Sequence, residues 1–290
     1  MQNSICYLLV HWMNFELTCR CIDYLLNLSG DNYSIVCVDN GSTNGTGKKL
    51  CDKYSDNKNV YIVLNPDDPG YAMGINYGYD YIRNSLDINP DCIVTINNDT
   101  FIEDPQFNEK LLCVLEGNHS DVLAPDIRVG DNGRHQNPLR VEPRSDLNLV
   151  ISLLYNGFMY LLSYVPIICN FIGNKFKNKM NVINKYEELK KFNYSDFCPH
   201  GACIIYNERW IRNEKILYVP GTFLFGDEEI LYDYIKKKQY RISFIPELSV
   251  HHLGDATIGR EVSLKKIRFL YKCGFNTAKL QLKLRMRTEK

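Results

Sequence analysis

Short apolar runs alternating with amphipathic segments predict an α/β fold built on a doubly wound, mostly parallel sheet. Three observations carry this expectation. Runs at residues 4–10, 33–38, 60–64 and Cys92–Ile96 are apolar, β-branched in part and too short for free-standing helices. A segment of helical spacing or a turn-and-helix pair follows each of them. The 290 residues are 45% hydrophobic, enough to bury a substantial core.

The elements follow in order. Residues 4–10 form a first buried strand, with His11 to Asn14 as the loop at its carboxyl end. Leu17, Cys21, Tyr24, Leu25 and Leu28 share one face of a helix over 15–28, which Ser29-Gly30 stops. A second strand at 33–38 leads into Asp39-Asn40-Gly41-Ser42-Thr43 and a helix over 47–54. The third strand, 60–64, precedes a turn at 66–70 and a helix over 71–85. The fourth, Cys92–Ile96, empties into Asn97-Asn98-Asp99-Thr100, and a further helix covers 106–116. Ligands of open α/β sheets bind beyond the carboxyl ends of strands, so Asp99 stands where a carboxylate could hold a hard cation. Capping of the next turn is the plainer alternative for Asn98 and Asp99.

Residues 128–144 are polar and rich in turn formers, and read as a loop over the mouth of the site. Residues 147–174 contain no charge, while Asn148, Ser152, Asn156 and Ser163 would line one helical stripe. With Lys175, Lys177 and Lys179 immediately after, the stretch reads as an interfacial helix or hairpin rather than a span; an internal core helix pair is the alternative. A strand at 203–206 follows Pro199-His200-Gly201-Ala202. A helix then begins near Asp227-Glu228-Glu229, three acids suited to the positive end of a helix dipole. Short strands at 243–245 and 248–250 end in His251-His252-Leu253-Gly254-Asp255-Ala256-Thr257. From Ser263 the tail is a basic amphipathic helix.

Lys+Arg and Asp+Glu balance at 34 each, which removes any global field for nucleic acid. Residues 260–290 nonetheless hold ten Lys/Arg against two Glu, pointing to a local anionic partner such as a lipid surface. Eleven cysteines without a zinc spacing read as free thiols of a reducing cytosol. The first residues lack a charged leader and cleavage site, so no signal peptide is expected. The stretch from Gly41 to Lys49 imitates a P-loop but has five residues between its glycines, and Lys49 stands where Ser/Thr belongs. No GxGxxG follows the first strand. Gly70, Gly74 and Gly78 instead share one helical face, allowing close approach of a strand or a ligand.

Six pieces in register resemble the family-2 glycosyltransferases with the GT-A fold, in particular their rhamnosyltransferase-like branch of bacterial polysaccharide synthesis. They are VDNGSTNGT from Val38, GYAMGINYG from Gly70, NPDCIVTINNDT from Asn89, HGACII from His200, GTFLFGDEEIL from Gly221 and VHHLGDAT from Val250. The resemblance implies a GT-A domain over 1–258, with the apolar insertion at 147–174 and a membrane-proximal helical tail at 259–290. It implies that Asp39 bonds the base of a UDP- or dTDP-sugar, with Asn40, Ser42, Asp68, Gly70, Gly74, Asn76 and Asn98 around the donor. Asp99 and His252 would hold Mg²⁺ or Mn²⁺, with His251 the alternative should the register slip by one. Glu228 would be the general base, with Asp227 as its fallback. Asp68 departs from the Asn usual at its place, and Asn65 could take over its role.

The implied reaction is inverting sugar transfer to a glycan acceptor, lipid-linked, at the cytoplasmic face of the membrane. Two rivals are a sugar nucleotidylyltransferase and a non-catalytic glycan-assembly subunit. The first would need a Gly-rich basic loop after the first strand, and His11-Trp12-Met13-Asn14 offers none. Intact Asp99, Glu228 and His252 argue against the second.

Overall fold

A computed structural model describes residues 4–130, 134–141, 143–164, 196–254 and 264–286. Residues 165–174 of the uncharged stretch, the lysines after it, and Asp255 to Thr257 lie outside the described residues.

Four parallel strands form the first half of the sheet: β1 (Ile5–His11), β2 (Tyr33–Asn40), β3 (Val60–Asn65) and β4 (Cys92–Ile96). Helices α1 (Phe15–Leu26), α2 (Thr46–Tyr54) and α3 (Tyr71–Asn84) connect them. Beyond come β5 (Thr100–Phe101), α4 (Phe107–Gly117), β6 (Val122–Val129), β7 (Arg134–His135) and α5 (Asp146–Leu162). The chain ends in β8 (Cys203–Asn207), α6 (Glu208–Asn213), α7 (Asp227–Lys237), β9 (Ile242–His252) and α8 (Leu264–Met286). The sheet order is β3-β2-β1-β4-β8-β6-β9-β5, with β7 on β6.

Alternation along β1 shows why the fold is doubly wound. Ile5, Tyr7 and Leu9 enter one core with α1, α2 and α4, while Cys6, Leu8 and Val10 enter the other with α3, α6 and α7. Both faces being covered, the strand reads as an unbroken apolar run. Gly78 lets α3 close on the sheet, since a Cβ there would lie 2.5 Å from Leu8 and 2.6 Å from Val38.

β8 runs antiparallel to both β4 and β6, so β4, β6 and β9 point the same way. The carboxyl ends of β4 and β9 and the start of β8 therefore meet at one edge. Two contacts fix that edge: Thr100 pairs with His252, and Leu253 N–H donates to the Asp99 carbonyl at 2.9 Å.

Three expectations change. β6 and α6 are elements that patterning did not single out. The two short strands at 243–245 and 248–250 are one strand, β9, whose register on β6 shifts between Pro125 and Asp126, where a bulge absorbs the extra residues. The loop at 128–144 contains β7 and returns through an isolated bridge between Arg140 and Cys198. The described cysteines are free thiols, as expected.

Candidate active site

Most of the residues expected on the donor side gather at the ends of β2 and β3. Asp39 is buried, accepts from Ser42 N–H at 3.3 Å and lies 3.9 Å from His11 Nε2. Room for its carboxylate comes from Gly47 in the first turn of α2, where a Cβ would sit 1.9 Å from Asp39 Oδ2. Asn40 links the two candidates for the departed Asn. Its Nδ2 donates to Asp68 Oδ1 at 2.9 Å, and its Oδ1 accepts from Asn65 at 3.0 Å. Asp68 Oδ1 also takes the Gly70 N–H, at 3.2 Å. Gly74 leaves space for Asn40, whose Oδ1 would be 2.9 Å from a Cβ there.

Three other residues of the predicted donor set have their side chains engaged inside the protein. Asn76 donates to the Tyr218 carbonyl and accepts from the Leu217 and Tyr218 amides, holding that loop to α3. Asn98 donates to Thr18 Oγ1 at 3.0 Å, in a buried chain that continues through His11 to Thr46. Ser42 Oγ accepts from the Met13 amide at 2.8 Å.

The two residues expected on the leaving-group side, Asp99 and His252, are both buried. His252 Nε2 lies 3.2 Å from Asp99 Oδ1, and His252 Nδ1 faces Gln136 Oε1 at 2.7 Å. An amide oxygen only accepts, so Nδ1 carries a proton. In the neutral ring the Nε2 lone pair then points at a carboxylate. Two acceptors at that distance repel unless a cation lies between them, either a second proton or a metal ion. A carboxylate oxygen and an imidazole nitrogen are both donor atoms that a divalent cation could take. Among the described residues no cluster of three or more His, Cys, Asp and Glu forms a cage. A cation here would take two protein ligands and complete its shell with water and phosphate oxygens. His251, on the opposite side of β9, pairs with Glu103 at 3.3 Å instead.

The three acids of α7 have separate sets of partners. Asp227 is bonded by Thr222. Glu229 is held by Arg140 Nε at 2.8 Å and by Arg144 through both of its oxygens. Glu228 Oε1 accepts from Gly201 N–H at 3.4 Å. Its carboxyl is pushed up to about 7, first by burial and then by the charge of Asp227. Tyr71, whose hydroxyl is driven up by burial and by Glu228, lies beside it.

Sequence reasoning did not find His200 or Gln136. The His200 ring packs edge-on to His252 at 5.6 Å, while the next residue, Gly201, touches Glu228. One dipeptide thus spans from the candidate cation site to the candidate base. His200 Nδ1 accepts from Ala202 N–H at 3.1 Å, and burial with the neighbouring His252 pushes its pKa down to about 3. Its signals were its place before β8 and at the head of the HGACII piece. Gln136 had none, being a polar residue in a polar loop.

The family described as Glycosyl transferase family 2 matches residues 14–213. The chain belongs to that family. This family 2 glycosyl transferase also shares its fold with Staphylococcus aureus TarS. Against TarS 1–349 in complex with UDP-GlcNAc the TM-score is 0.54 at 13% identity, covering 93% of this chain and 66% of that one. Against the UDP complex the TM-score is 0.52 at 13% identity, covering 92% and 65%. Against a further structure of TarS 1–349 the TM-score is 0.52 at 13% identity, and this chain spans 60% of that chain's length. No curated protein matches the sequence. The family match ends before α7 and β9, so the geometry itself joins Glu228 and His252 to the site.

Proposed function

We propose that this transferase is an inverting hexosyltransferase that moves a sugar, rhamnose or a hexose, from a UDP- or dTDP-sugar to a glycan hydroxyl. The observation that carries the reading is the pairing of Asp99 Oδ1 with His252 Nε2, across the His200-Gly201 dipeptide from Glu228. Glu228, with a pKa near neutrality, is matched to accept the acceptor hydroxyl's proton as that oxygen bonds the sugar. The bond from the anomeric carbon to the diphosphate breaks on the opposite face, and its electron pair leaves with the diphosphate. Asp99 and His252 would hold Mg²⁺ or Mn²⁺, whose charge would stabilise that leaving group. Asp39 would accept from the nucleotide base, with Asn40, Asp68 and Gly70 shaping the wall beside it.

The acceptor in this reading is a lipid-linked glycan of cell-surface polysaccharide synthesis, met at the cytoplasmic face of the membrane. The membrane contact in this reading is peripheral; no described helix is long and apolar enough to cross a membrane.

Thermal shift with nucleoside diphosphates and nucleotide sugars, each with and without Mn²⁺, tests the donor site. TarS has been solved with UDP and UDP-GlcNAc, which makes the uridine compounds the first to try. A metal-dependent rise with UDP or dTDP, lost in Asp99→Ala, is expected by mass action. No rise with any nucleotide would overturn the proposal.

A further inference from the structure

Helix α5 is built inside out for a helix surrounded by water. Toward α8 it turns Ser152, Asn156 and the capping Ser163 beside the apolar Met159 and Leu162, while Asn148 stays exposed. Asn156 donates to the Ser152 carbonyl at 2.7 Å and lies against Gly274 of α8, while Ser163 takes contacts from Arg268. The apolar side chains Leu147, Ile151, Leu154, Phe158 and Leu161 form the outward stripe. Leu154 is 67% exposed and Phe158 59%. Steps of four, three, four and three residues keep this stripe on one face over the length of the helix. Only Leu149 and Met159 of α5 are buried. Large exposed apolar patches on soluble proteins mark interaction surfaces.

The neighbouring helix supplies charge of one sign. Lys265, Arg268 and Lys272 of α8 line an open groove with Tyr160 of α5 and Phe269. Arg268 is held in place by the Ser163 carbonyl at 3.2 Å and by the Tyr164 ring, 3.8 Å from its guanidinium carbon. Among the described residues no acidic side chain lines the groove. An apolar stripe flanked by fixed cations complements an anionic bilayer, which offers acyl chains and phosphates in the same arrangement.

The same groove reaches the site. Phe269 packs edge-on to Phe223 at 5.3 Å, and the Phe223 backbone covers Gly70 so closely that a Cβ there would be 2.5 Å from its carbonyl oxygen. Thr277 of α8 donates to the Phe225 carbonyl at 3.0 Å. The loop that leads into Glu228 is therefore held directly against α8.

We infer that α5 and α8 together form a docking face for an anionic lipid bilayer, with the α5 stripe at the headgroup–acyl boundary and the α8 groove receiving lipid phosphate. Docked this way, the loop before Glu228 lies at the margin of the lipid surface. The inference deepens the lipid-borne acceptor of the proposed function and rests on that reading only for its purpose.

Vesicle flotation of the full chain tests it without any nucleotide. The protein is expected to float with phosphatidylglycerol-containing vesicles and to remain behind with phosphatidylcholine alone. Leu154→Ser with Phe158→Ser, and separately Lys265→Glu with Lys272→Glu, should each weaken flotation at least about tenfold. All four side chains are exposed or line the open groove, so folding, checked by circular dichroism, should persist. Failure to float with anionic vesicles overturns the inference, as does equal binding to neutral ones. A dimer in solution that Leu154→Ser with Phe158→Ser dissociates, without flotation, would assign the face to a second copy instead. A chain that floats yet shows no nucleotide shift would count against the proposed transfer and leave the docking face standing.

Discussion

Gly201 and Glu228 are in contact: the Gly201 amide donates to Glu228 Oε1, and a Cβ at position 201 would lie 2.8 Å from that oxygen. The obstacle is the far end of a flexible side chain rather than backbone, so the fold can accommodate the methyl while the carboxylate cannot keep its place. Gly201→Ala should lower kcat at least about tenfold, because a small misplacement of a reacting group is costly. Its melting temperature should stay close to that of the parent. Steady-state kinetics beside a melting curve check both halves.

Glu228 also gives a pH prediction. Its pKa is raised from an ordinary 4.5 to about 7. The folded state therefore holds a proton that the unfolded state releases between these values, and stability falls as pH rises through that window. Glu228→Gln should abolish transfer and raise the melting temperature above pH 7, with no gain below pH 4.5. The gain is at most about 3 kcal/mol, the free-energy equivalent of a pKa raised from 4.5 to about 7. In the parent, the rate should climb with pH through about 7 as the base loses its proton. Glu229→Gln should act in the opposite sense on stability, losing about 1–3 kcal/mol as its ties to Arg140 and Arg144 weaken.

Gln136 fixes which nitrogen of His252 faces Asp99. Gln136→Leu leaves that ring free to present either nitrogen, and should weaken Mn²⁺-supported UDP binding by about tenfold or more. Gln136→Glu, which can still accept from Nδ1, should restore most of it. Titration calorimetry of UDP with and without Mn²⁺ separates the metal-linked part from the rest.

Gly47 makes room for Asp39, so Gly47→Ala should displace that carboxylate from where the proposed function sets the nucleotide base. Nucleotide affinity should fall about as far as in Asp39→Ala. Combining the two substitutions should cost little more than either alone, since both act through one contact. A double-mutant cycle read by calorimetry provides the check.

Much of the sheet was legible because β1, β2 and β4 are covered on both faces and so appear as continuous apolar runs. β6 was not, since Pro125, Asp126 and Arg128 interrupt its pattern. Asp126 is nevertheless buried, paired with His135 at 2.6 Å and Arg128 at 3.3 Å. Helix α6, at six residues, is too short for periodicity to register. The choice between His251 and His252 needed the strand: alternate side chains face opposite ways, and only the second meets Asp99. The three acids of α7 were visible, but their separate duties depend on Thr222, Gly201 and two arginines distant in the chain. Helix α5 shows the limit most clearly. Its polar stripe can be read from sequence, but the side it faces is set by α8, more than a hundred residues later.

The two-residue ladder between Thr100 and His252 has a consequence for how the protein is made. Asp99 emerges from the ribosome early, with β1 to β4 able to pair around it, yet its partner arrives more than 150 residues later. Until His252 has left the exit tunnel and β9 has zipped onto β6, a nascent chain has β1 to β4 but not the Asp99–His252 pair on which the proposed function rests. Competence for transfer would thus switch on late in synthesis, after the segment carrying α5 has already emerged.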